Sequence, residues 1–194
     1  MKLQRLIIAT TNAGKVVEIR SALGTVPGWV LEPLPPGTPG IEETGSTFLE
    51  NAVLKAAHYS KFTPELTLAD DSGLCVAAVG GRPGVHSARY ADSVSARVQR
   101  VLTEMKSVPD PERDAVFYCA VVLARSGNII WTVQEQVAGF IAHFPSGTEG
   151  FGYDPIFFLL ERGRTMTELD TDARNRLSAR GKALAELRKF LLTL

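Results

Sequence analysis

The stretch LIIATTNAGK, from Leu6 to Lys15, decides the fold class. Four apolar residues run directly into a polar turn that holds one glycine and one lysine. The pattern predicts a buried strand over Leu3 to Ala9, followed by a helix over Gly14 to Leu23. A strand that feeds a helix through a short turn is the building unit of α/β proteins, so the sequence predicts that class.

The turn in this stretch contains a Gly-Lys pair like that of phosphate-binding P-loops. A P-loop reads G-x-x-x-x-G-K-[S/T], but Ala9 stands at its first glycine and Val16 at its hydroxyl residue. The turn is therefore not a P-loop. A helix that begins near Gly14 still directs N–H groups and a partial positive charge outward, and Lys15 adds a full charge. A phosphate grip and an ordinary capped helix with a solvated lysine remain equal alternatives for this segment.

Helical and extended segments alternate along the rest of the chain. The remaining strands are predicted at Trp29 to Leu34, Leu66 to Ala69, and a hairpin of Ala115 to Ala124 with Ile129 to Ile141. The remaining helices are predicted from the Thr47 capping box to about Lys61, at Ala96 to Lys106, and at Thr171 to Leu194, with a break at Gly181 and Ser178 as a cap. Irregular loops are predicted at Gly80 to Ala91 and Pro145 to Pro155. A hairpin among strand–helix units indicates a mixed sheet.

Composition narrows the classes of function. The chain has 194 residues, enough for one domain or two lobes with a shared core, and its 21 basic residues balance 21 acidic ones. A protein that coats nucleic acid needs a basic excess, so this balance argues against that class but admits a small anionic ligand. We find no export signal and no apolar run of membrane-spanning length. Cys75 and Cys119 lack metal-ligand spacing, so we expect a cytoplasmic protein with two buried, reduced thiols and no membrane partner.

Acidic residues occur in pairs at two predicted loops. Glu42 and Glu43 follow a proline-rich loop, and Asp70 and Asp71 follow the strand predicted to end at Ala69. Ligands of α/β proteins bind at such strand ends, and only one of two neighbouring strand residues faces a given site. Two carboxylates within about 4 Å repel by a few kcal/mol, so a convergence of Glu42 and Asp71 would require a cation. Mg²⁺ is the natural candidate, and ordinary solvated carboxylates are the alternative.

Two further segments carry candidate ligand contacts. Lys55 lies two turns beyond the Thr47 cap among apolar residues, where it is either a surface lysine or an anion ligand. Phe151 and Tyr153 lie on a glycine-rich loop, where aromatic rings suit stacking on a flat ligand such as a base. Asp154 of that loop can accept hydrogen bonds from the ligand. The alternative is an Asp-Pro turn whose aromatic rings fold back into the core.

Seven motifs stand in order along the chain, and together they resemble the inosine triphosphate pyrophosphatase family, also called XTP/dITP diphosphatases. The resemblance runs nearly end to end. The motifs are TTNAGK (Thr10 to Lys15), EETG (Glu42 to Gly45), ENAVLKA (Glu50 to Ala56), ADDSGL (Ala69 to Leu74), GGRPG (Gly80 to Gly84), SARY (Ser87 to Tyr90) and FGYDP (Phe151 to Pro155).

The resemblance implies an elongated α/β fold in which flanking helices and a long mixed β-sheet form two lobes around a central cleft. Residues 1–194 would then be a single nucleoside triphosphate pyrophosphatase domain, usually part of a homodimer. The implied reaction is the Mg²⁺-dependent hydrolysis of non-standard purine nucleoside triphosphates, such as ITP, dITP and XTP, to the monophosphate and pyrophosphate.

The resemblance also assigns roles by position. Asp71 would be the catalytic base and, together with Glu42, a ligand of Mg²⁺. Ser72 would contact the substrate, and Arg89 its phosphates. The triphosphate would be held by Thr10, Thr11, Asn12, Ala13, Gly14, Lys15 and Lys55. The purine would be held by Phe151, Gly152, Tyr153 and Asp154.

One motif near the C-terminus departs from the family pattern. The family typically shows Lys-Asn, two residues, then Ser-His-Arg as purine contacts, whereas this chain reads RNRLSAR from Arg174 to Arg180. Arg174 replaces the lysine and Ala179 the histidine, while Ser178 and Arg180 match. Ala179 has no side-chain donor, and the loss of such a polar contact commonly costs about 1–3 kcal/mol. We therefore expect weaker base discrimination, with Arg180 still able to donate to a 6-oxo group.

Three alternatives to this function stay open. One is a related nucleotide pyrophosphatase with another base specificity, and another is a phosphatase that releases single phosphates. The third is a nucleotide-binding module without catalysis. The presence of both Glu42 and Asp71 argues against that module, because a protein that only binds a polyanion gains nothing from additional carboxylates.

Overall fold

The structure is a computed structural model, and it describes residues 3–147 and 150–194. The described strands are β1 (Gln4–Ile8), β2 (Trp29–Pro33), β3 (Leu66–Val76), β4 (Asp114–Arg125), β5 (Asn128–Ile141), β6 (Phe157–Leu159) and β7 (Arg164–Thr165). The described α-helices are α1 (Ala13–Leu23), α2 (Phe48–Tyr59), α3 (Val94–Glu104), α4 (Thr171–Leu177) and α5 (Ala179–Leu191).

One mixed sheet contains these strands in the order β2-β1-β3-β4-β5-β6-β7. β1 pairs in parallel with both β2 and β3, whereas β6 pairs antiparallel with β5 and β7. The parallel pairing of β1 and β2 comes from a strand–helix unit, and the antiparallel pair of β6 and β7 is joined by a short connection. This arrangement confirms the predicted α/β class, with its mixed sheet and flanking helices.

The turn between β1 and α1 contains a helix cap, as its sequence indicates. The Asn12 side chain caps α1 by accepting hydrogen bonds from the N–H groups of Gly14 and Lys15, at 3.0 and 3.3 Å. Asn12 in turn donates its N–H to Thr10 Oγ1 at 3.1 Å. An asparagine at this position commonly stabilises a helix by about 1 kcal/mol relative to alanine. The cap fixes where α1 begins, and with it the direction of Lys15.

The pairing of β1 with β3 determines which residues of β3 lie beside the turn that follows β1. Ile8 is in register with Leu68, and the N–H of Ala9 donates to the Leu68 carbonyl at 2.7 Å. In parallel strands, the carboxyl ends lie at the same edge of the sheet. The turn that follows β1 is therefore next to the segment of β3 that begins at Asp70.

The chain divides into two compact units. The first contains the described residues up to Asp71 together with Cys119–Glu135 and Arg180–Leu194, and the second contains Ser72–Tyr118 and Gln136–Ala179. The core of the first unit includes Leu6, Ile8, Ile19, Leu68 and Leu187, each at most 1% exposed. The indole N–H of Trp29 donates to the Leu191 carbonyl at 3.1 Å, which ties β2 to the end of α5.

The second unit contains a buried arginine held by carbonyl groups. Arg113 is 3% exposed, and its guanidinium donates to the carbonyl oxygens of Ile141, Met105, Val108 and Ala142 at 2.7 to 3.2 Å. Burial lowers the pKa of Arg113. Because these carbonyls satisfy the planar donors without a buried carboxylate, Arg113 is a structural link between β5 and the end of α3.

The two cysteines are free thiols. Cys119 is fully buried, and burial raises its pKa to about 12. Cys75 was expected to be buried as well, but it is only half-buried. A thiol with a raised pKa is a poor nucleophile, so Cys119 serves as a core residue.

Several predicted elements are confirmed. α1 and the hairpin of β4 and β5 match within a few residues, and α2 has the full capping box of Thr47 and Glu50. The loop predicted over Pro145 to Pro155 includes residues 148 and 149, which lie outside the described residues, and it ends in a 3₁₀ turn at Asp154–Ile156.

Two predicted element boundaries are wrong. β3 does not end at Ala69 but continues to Val76, so Asp70 and Asp71 lie inside the strand rather than at its end. The C-terminal helical region breaks at Ser178, the residue predicted as a cap, whose extended backbone (ψ 152°) ends α4. Gly181 lies within α5 rather than at a break, because Ser178 already interrupts the helix.

None of the helices in residues 3–147 and 150–194 is long and apolar enough to cross a membrane.

Candidate active site

β3 places two neighbouring aspartates in the interior of the first unit. Asp70 and Asp71 are 2% and 6% exposed, and neither lies at a strand end. Consecutive strand residues point to opposite faces, so the two carboxylates meet different neighbours. Burial of a carboxylate requires cationic or hydrogen-bonding partners, and each aspartate has its own set.

Lys55 is the partner of Asp71. Its Nζ donates to Asp71 Oδ1 at 2.8 Å and lies 2.9 Å from Glu43 Oε1. The Lys55 side chain is 9% exposed and the Asp71 side chain 8%. The alternative of a surface lysine is therefore excluded, because Lys55 is a buried cation between two carboxylates.

Lys15 and Arg180 are the partners of Asp70. Lys15 Nζ lies 3.2 Å from Asp70 Oδ2, and the Arg180 Nε and Nη2 atoms donate to the same oxygen at 3.3 and 3.2 Å. The third guanidinium nitrogen of Arg180 donates to Glu18 of α1. The Asp70 side chain is 1% exposed and the Arg180 side chain 10%, so water screens these charges little.

These partners shift the two aspartate pKa values in opposite directions. Burial raises the pKa of Asp70, but the charges of Lys15 and Arg180 outweigh burial and hold this pKa well below its usual range. Burial also raises the pKa of Asp71, and there it prevails over the charges of Lys55 and Lys15. Paired groups whose pKa values are driven apart are typical of sites that divide acid–base roles.

Each aspartate also keeps one buried oxygen without a partner among the described residues. These atoms are Asp70 Oδ1 and Asp71 Oδ2. An unsatisfied buried acceptor is rare and commonly marks a place where a water or an ion binds. Mg²⁺ binds through one or two carboxylates and completes its shell with water and phosphate oxygens, so Asp71 Oδ2 fits a magnesium ligand. Within the described ranges, no three or more acidic, histidine or cysteine side chains are grouped so that they could hold a metal ion.

The structure places Glu43, rather than Glu42, in this ion-pair network. Glu42 is exposed, and it makes no hydrogen bond or ion pair within residues 3–147 and 150–194. Glu43 is half-buried and contacts Lys55, which also contacts Asp71. The convergence of Glu42 with Asp71 stays a prediction, and the geometry offers Glu43 as the second carboxylate.

The residues of the first turn are close to the Asp70 cluster through Lys15. Thr10, Gly14 and Lys15 are half-buried, and Thr11, Asn12 and Ala13 are exposed. The N–H groups of Gly14 and Lys15 bond to the Asn12 cap, so they are not free donors in this conformation. A phosphate would therefore meet the Lys15 ammonium and the exposed Thr11 hydroxyl first.

The FGYD residues belong to the second unit and differ in their surroundings. Tyr153 is 4% exposed, and its hydroxyl donates to the Ser87 carbonyl at 2.9 Å. Burial raises the pKa of Tyr153. Asp154 Oδ2 accepts the N–H of Phe151 at 2.9 Å, and Gly152 has a φ of +61° that favours glycine. Tyr153 thus matches the alternative of a ring folded into the core, while Phe151 stays half-exposed.

The remaining predicted substrate contacts also lie in the second unit. Ser72 is half-buried in β3, and Arg89 is exposed at the end of a 3₁₀ segment. Arg174 of α4 has a buried Nη1 without a partner in the described part of the chain. The N–H of Ser178 donates to the Arg174 carbonyl at 2.9 Å, which closes α4. Of these four residues, Arg174 is the one with a buried donor that has no partner within the described residues, and a ligand acceptor could satisfy it.

A sequence model of the Ham1 family matches residues 6–190. The chain belongs to the Ham1 family. It is 48% identical over 190 residues to a dITP/XTP pyrophosphatase of Geobacillus kaustophilus, covering 95% of this chain and 93% of that protein. It is 45% identical over 191 residues to a dITP/XTP pyrophosphatase of Geobacter sulfurreducens, covering 96% of each. These matches confirm the family that the seven motifs indicated.

A solved Ham1 structure shares the fold. The HAM1 protein from Coxiella burnetii is 38% identical, with a TM-score of 0.87 over 99% of this chain and 100% of that one. Agreement at this level over the full length shows that the two chains share one overall fold.

The sequence of this Ham1 family member did not indicate Glu18 as a site residue, and of the acidic pair Glu42 and Glu43 it assigned a role only to Glu42. Glu18 stands three residues after Lys15 in α1, a spacing that places both on one helix face. Glu43 is the direct neighbour of Glu42, the residue predicted to bind Mg²⁺. For Glu18 the helical spacing is a usable signal, but its partner Arg180 is 162 residues away and is brought near only by the fold.

Proposed function

We propose that this Ham1 protein hydrolyses non-standard purine nucleoside triphosphates such as dITP, ITP and XTP to the monophosphate and pyrophosphate. The observation that carries the proposal is the pair of adjacent buried aspartates, each held by a lysine and shifted in pKa in opposite directions. The relatives named dITP/XTP pyrophosphatase support the substrate class.

Asp71 has the properties of the general base in this reaction. Its Oδ1 is held by Lys55, and its buried Oδ2 is available to accept a proton from water. A base works best when its pKa approaches the working pH, and burial raises the pKa of Asp71. Asp70 is held ionised by Lys15 and Arg180, so it is the poorer proton acceptor.

Lys15 and Lys55 would offset the charge of the triphosphate. Both ammonium groups lie beside the aspartates, at 13% and 9% side-chain exposure. In a partly desolvated site, a fixed cation stabilises phosphate charge more than it would in water. Their positions on α1 and α2 are fixed by helix caps, so they need little reorganisation.

Mg²⁺ is the proposed cofactor, held by Asp71 and by Glu42 or Glu43. Asp71 Oδ2 can serve both a cation and a water, because each carboxylate oxygen has two lone pairs. Bound Mg²⁺ would supply charge neutralisation for the leaving pyrophosphate. Glu43 is already placed on Lys55, whereas Glu42 would need to turn inward.

The purine contacts remain proposals on the second unit. Phe151, Gly152, Tyr153 and Asp154 would shape the base pocket, in which only Phe151 of the two rings is accessible for stacking. Arg174 and Ser178 would contact the base, with Arg174 offering its orphaned Nη1. Ser72 and Arg89 are proposed as further substrate contacts. We also propose a single two-lobed domain, a homodimer, and a cytoplasmic location where the free thiols stay reduced.

Product analysis with dITP tests the proposed function. We expect dIMP and pyrophosphate in equal amounts in the presence of Mg²⁺, with much slower turnover of dATP and dGTP as controls. Release of orthophosphate would indicate a phosphatase, and rapid turnover of dUTP or dTTP would indicate another base specificity. Binding of dITP without any product would leave a nucleotide-binding module.

Replacement of Lys15 tests the phosphate grip. Lys15→Ala is expected to raise the KM for dITP about tenfold or more and to change kcat less, because a charge-assisted hydrogen bond contributes about 1.5–3 kcal/mol. Asp70 keeps Arg180 as a partner, so the variant should fold. Initial rates over a range of dITP concentrations measure both constants, and the exposed Lys106 gives the matched control, Lys106→Ala. Equal KM values for wild type and Lys15→Ala would contradict a phosphate role.

A further inference from the structure

One face of α2 contacts the acidic segment, which we define as residues 39–45, at three places. Asn51, Lys55 and His58 of this helix have the spacing of a single helix face. In the same order, the residues that they contact in the segment are Gly45, Glu43 and Pro39. The segment therefore runs along α2 in the direction opposite to that of the helix.

Asn51 makes the contact nearest the start of α2, and it makes this contact with backbone atoms. The Asn51 side chain accepts the N–H of Gly45 at 2.8 Å and donates to the Gly45 carbonyl at 3.3 Å. Asn51 is fully buried, so water does not compete for these two hydrogen bonds. None of the described helices or strands lies between Pro33 and Phe48, so the acidic segment is not held by helix or sheet hydrogen bonds. The Asn51 amide supplies hydrogen bonds of that kind at Gly45.

The close approach of Asn51 also explains the glycine at position 45. A Cβ atom on Gly45 would lie 2.7 Å from Asn51 Oδ1 and 2.7 Å from Glu50 Cβ. Both distances are shorter than van der Waals contact, so a side chain at position 45 would push the acidic segment away from α2. Gly45 and Asn51 are thus the two sides of one contact, and each can be changed to test it.

The capping box of α2 does not by itself fix the acidic segment. The Glu50 carboxylate accepts the N–H groups of Ser46 and Thr47 at 2.7 and 3.2 Å. These two residues lie between the segment and the helix, and a capping box sets where a helix begins. Asn51 reaches one residue further, into the acidic segment itself.

Two carboxylates converge on Lys55, and their convergence depends on where the acidic segment lies. Lys55 Nζ is 2.9 Å from Glu43 Oε1 and 2.8 Å from Asp71 Oδ1. The ammonium offsets the repulsion between the carboxylates, but a lysine has a flexible stem and does not fix the backbone that carries Glu43. The hydrogen bonds of Asn51 fix this backbone two residues further on, at Gly45.

We infer that Asn51 is a positioning residue for the proposed Mg²⁺ site: by holding Gly45, it keeps the carboxylates of Glu42 and Glu43 where one of them can bind the ion together with Asp71. This inference rests on the proposed function, in which Asp71 and one of these glutamates hold Mg²⁺. Asn51 itself contacts neither the ion nor the substrate, and it acts through the backbone of the acidic segment.

Asn51→Ala removes both hydrogen bonds and should weaken the use of Mg²⁺. From initial rates of pyrophosphate release at saturating dITP, we expect the Mg²⁺ concentration for half-maximal activity to rise about tenfold. Removal of a group that orients a metal ligand commonly costs about 10–100-fold in metal affinity. A further increase in Mg²⁺ should restore most of the turnover, because the groups that carry the chemistry are unchanged.

Gly45→Ala disturbs the same contact from the other side. Its Cβ would displace the acidic segment while the buried Asn51 side chain stays in place, so the test does not depend on the folding of Asn51→Ala alone. We expect a similar shift in the Mg²⁺ concentration for half-maximal activity. The same shift in both variants would tie the effect to the Asn51–Gly45 contact.

Amide exchange gives a readout that needs neither metal nor turnover. Hydrogen–deuterium exchange of the full-length protein without Mg²⁺, followed by mass spectrometry, measures the exchange of a peptide that spans the acidic segment. We expect this peptide to exchange about tenfold faster in Asn51→Ala than in wild type, because two hydrogen bonds that hold it are lost. Unchanged exchange would show that Asn51 does not hold the segment and would overturn the inference.

Ser60→Ala is the matched control at the other end of the same helix. Ser60 is fully buried, and its Oγ accepts the N–H of Gly127 at 2.9 Å, as the Asn51 side chain accepts the N–H of Gly45. We expect Ser60→Ala to lose stability in urea unfolding but to keep the wild-type Mg²⁺ dependence and exchange of the acidic segment. An equal shift in Mg²⁺ dependence for Ser60→Ala would show that the shift reflects lost stability and would overturn the inference.

The proposed function and this inference fail in different ways. A wild type that releases no pyrophosphate from dITP would refute the proposed function, and the metal role of the acidic segment with it. Mg²⁺-dependent turnover by the wild type, together with an unchanged Mg²⁺ dependence in either folded variant, Asn51→Ala or Gly45→Ala, would overturn the inference alone. In that case the contact of Asn51 with Gly45 stabilises the fold only.

Discussion

Asp71→Asn is expected to lower the turnover of dITP about a thousandfold while the nucleotide still binds, because a general base commonly contributes a factor of about 10²–10⁴. The amide keeps the shape of the carboxylate, and its oxygen can still accept from Lys55 Nζ. It cannot take a proton from water. Pyrophosphate release measures turnover, and titration with a non-hydrolysable dITP analogue measures binding.

A surface aspartate provides the control for this substitution. Asp114→Asn changes an exposed aspartate of β4. The turnover of dITP and the affinity for the analogue should both stay within about twofold of wild type, because surface substitutions usually change free energies by about 0.5 kcal/mol or less. A turnover of Asp71→Asn within about tenfold of wild type, short of the range for a general base, would remove Asp71 from the chemistry.

The pH dependence of wild-type activity should follow the ionisation of the Asp71 carboxyl group. The base must be ionised to accept a proton, so activity is lost as the pH falls through the pKa of Asp71. Since burial raises that pKa, the acid limb of kcat/KM should lie above the range of an ordinary aspartate. Rates for dITP between pH 4 and pH 9 locate this limb.

Local sequence signals accounted for much of the framework that holds the site. The Asn12 cap, the Thr47–Glu50 capping box and the hairpin turn at Ser126 and Gly127 each depend on residues within a few positions of one another. Such short-range signals do not depend on tertiary contacts, and for this reason they predict α1, α2 and the pair of β4 and β5.

The course of β3 could not be predicted in the same way. Asp70 and Asp71 followed by Ser72 and Gly73 have the composition of a turn. The strand continues because Lys15, Lys55 and Arg180 neutralise the two aspartates, and these cations come from positions up to 110 residues away. Tertiary ion pairs outweigh local turn preference here.

The choice between neighbouring acids was beyond sequence reasoning for a similar reason. Glu42 and Glu43 differ by one position in a segment without regular structure, where no periodicity tells which side chain faces inward. In the structure Lys55 contacts Glu43, and the role of Glu42 as a metal ligand stays a prediction. The motif located the acidic segment, and only the fold shows which of its two side chains contacts Lys55.

Lys55→Met is expected to have the second large effect, on stability as well as on activity. The methionine keeps the length of the apolar stem but leaves Asp71 and Glu43 without their shared cation. Breaking a buried ion pair in this way commonly costs about 3–5 kcal/mol. Urea unfolding gives the free energy of unfolding, and Lys61→Met, at an exposed lysine just after α2, is the control that should lose little.

The loss of stability in Lys55→Met should also depend on pH. Burial already raises the pKa of Asp71, and Lys55 opposes that shift, so its removal raises the pKa further. The folded variant then keeps a proton that the unfolded chain releases, and its free energy of unfolding falls as the pH rises. We therefore expect the deficit relative to wild type to be larger at pH 8 than at pH 5, and the acid limb of kcat/KM to move to higher pH. An equal deficit at both pH values would show that Lys55 does not govern the proton on Asp71.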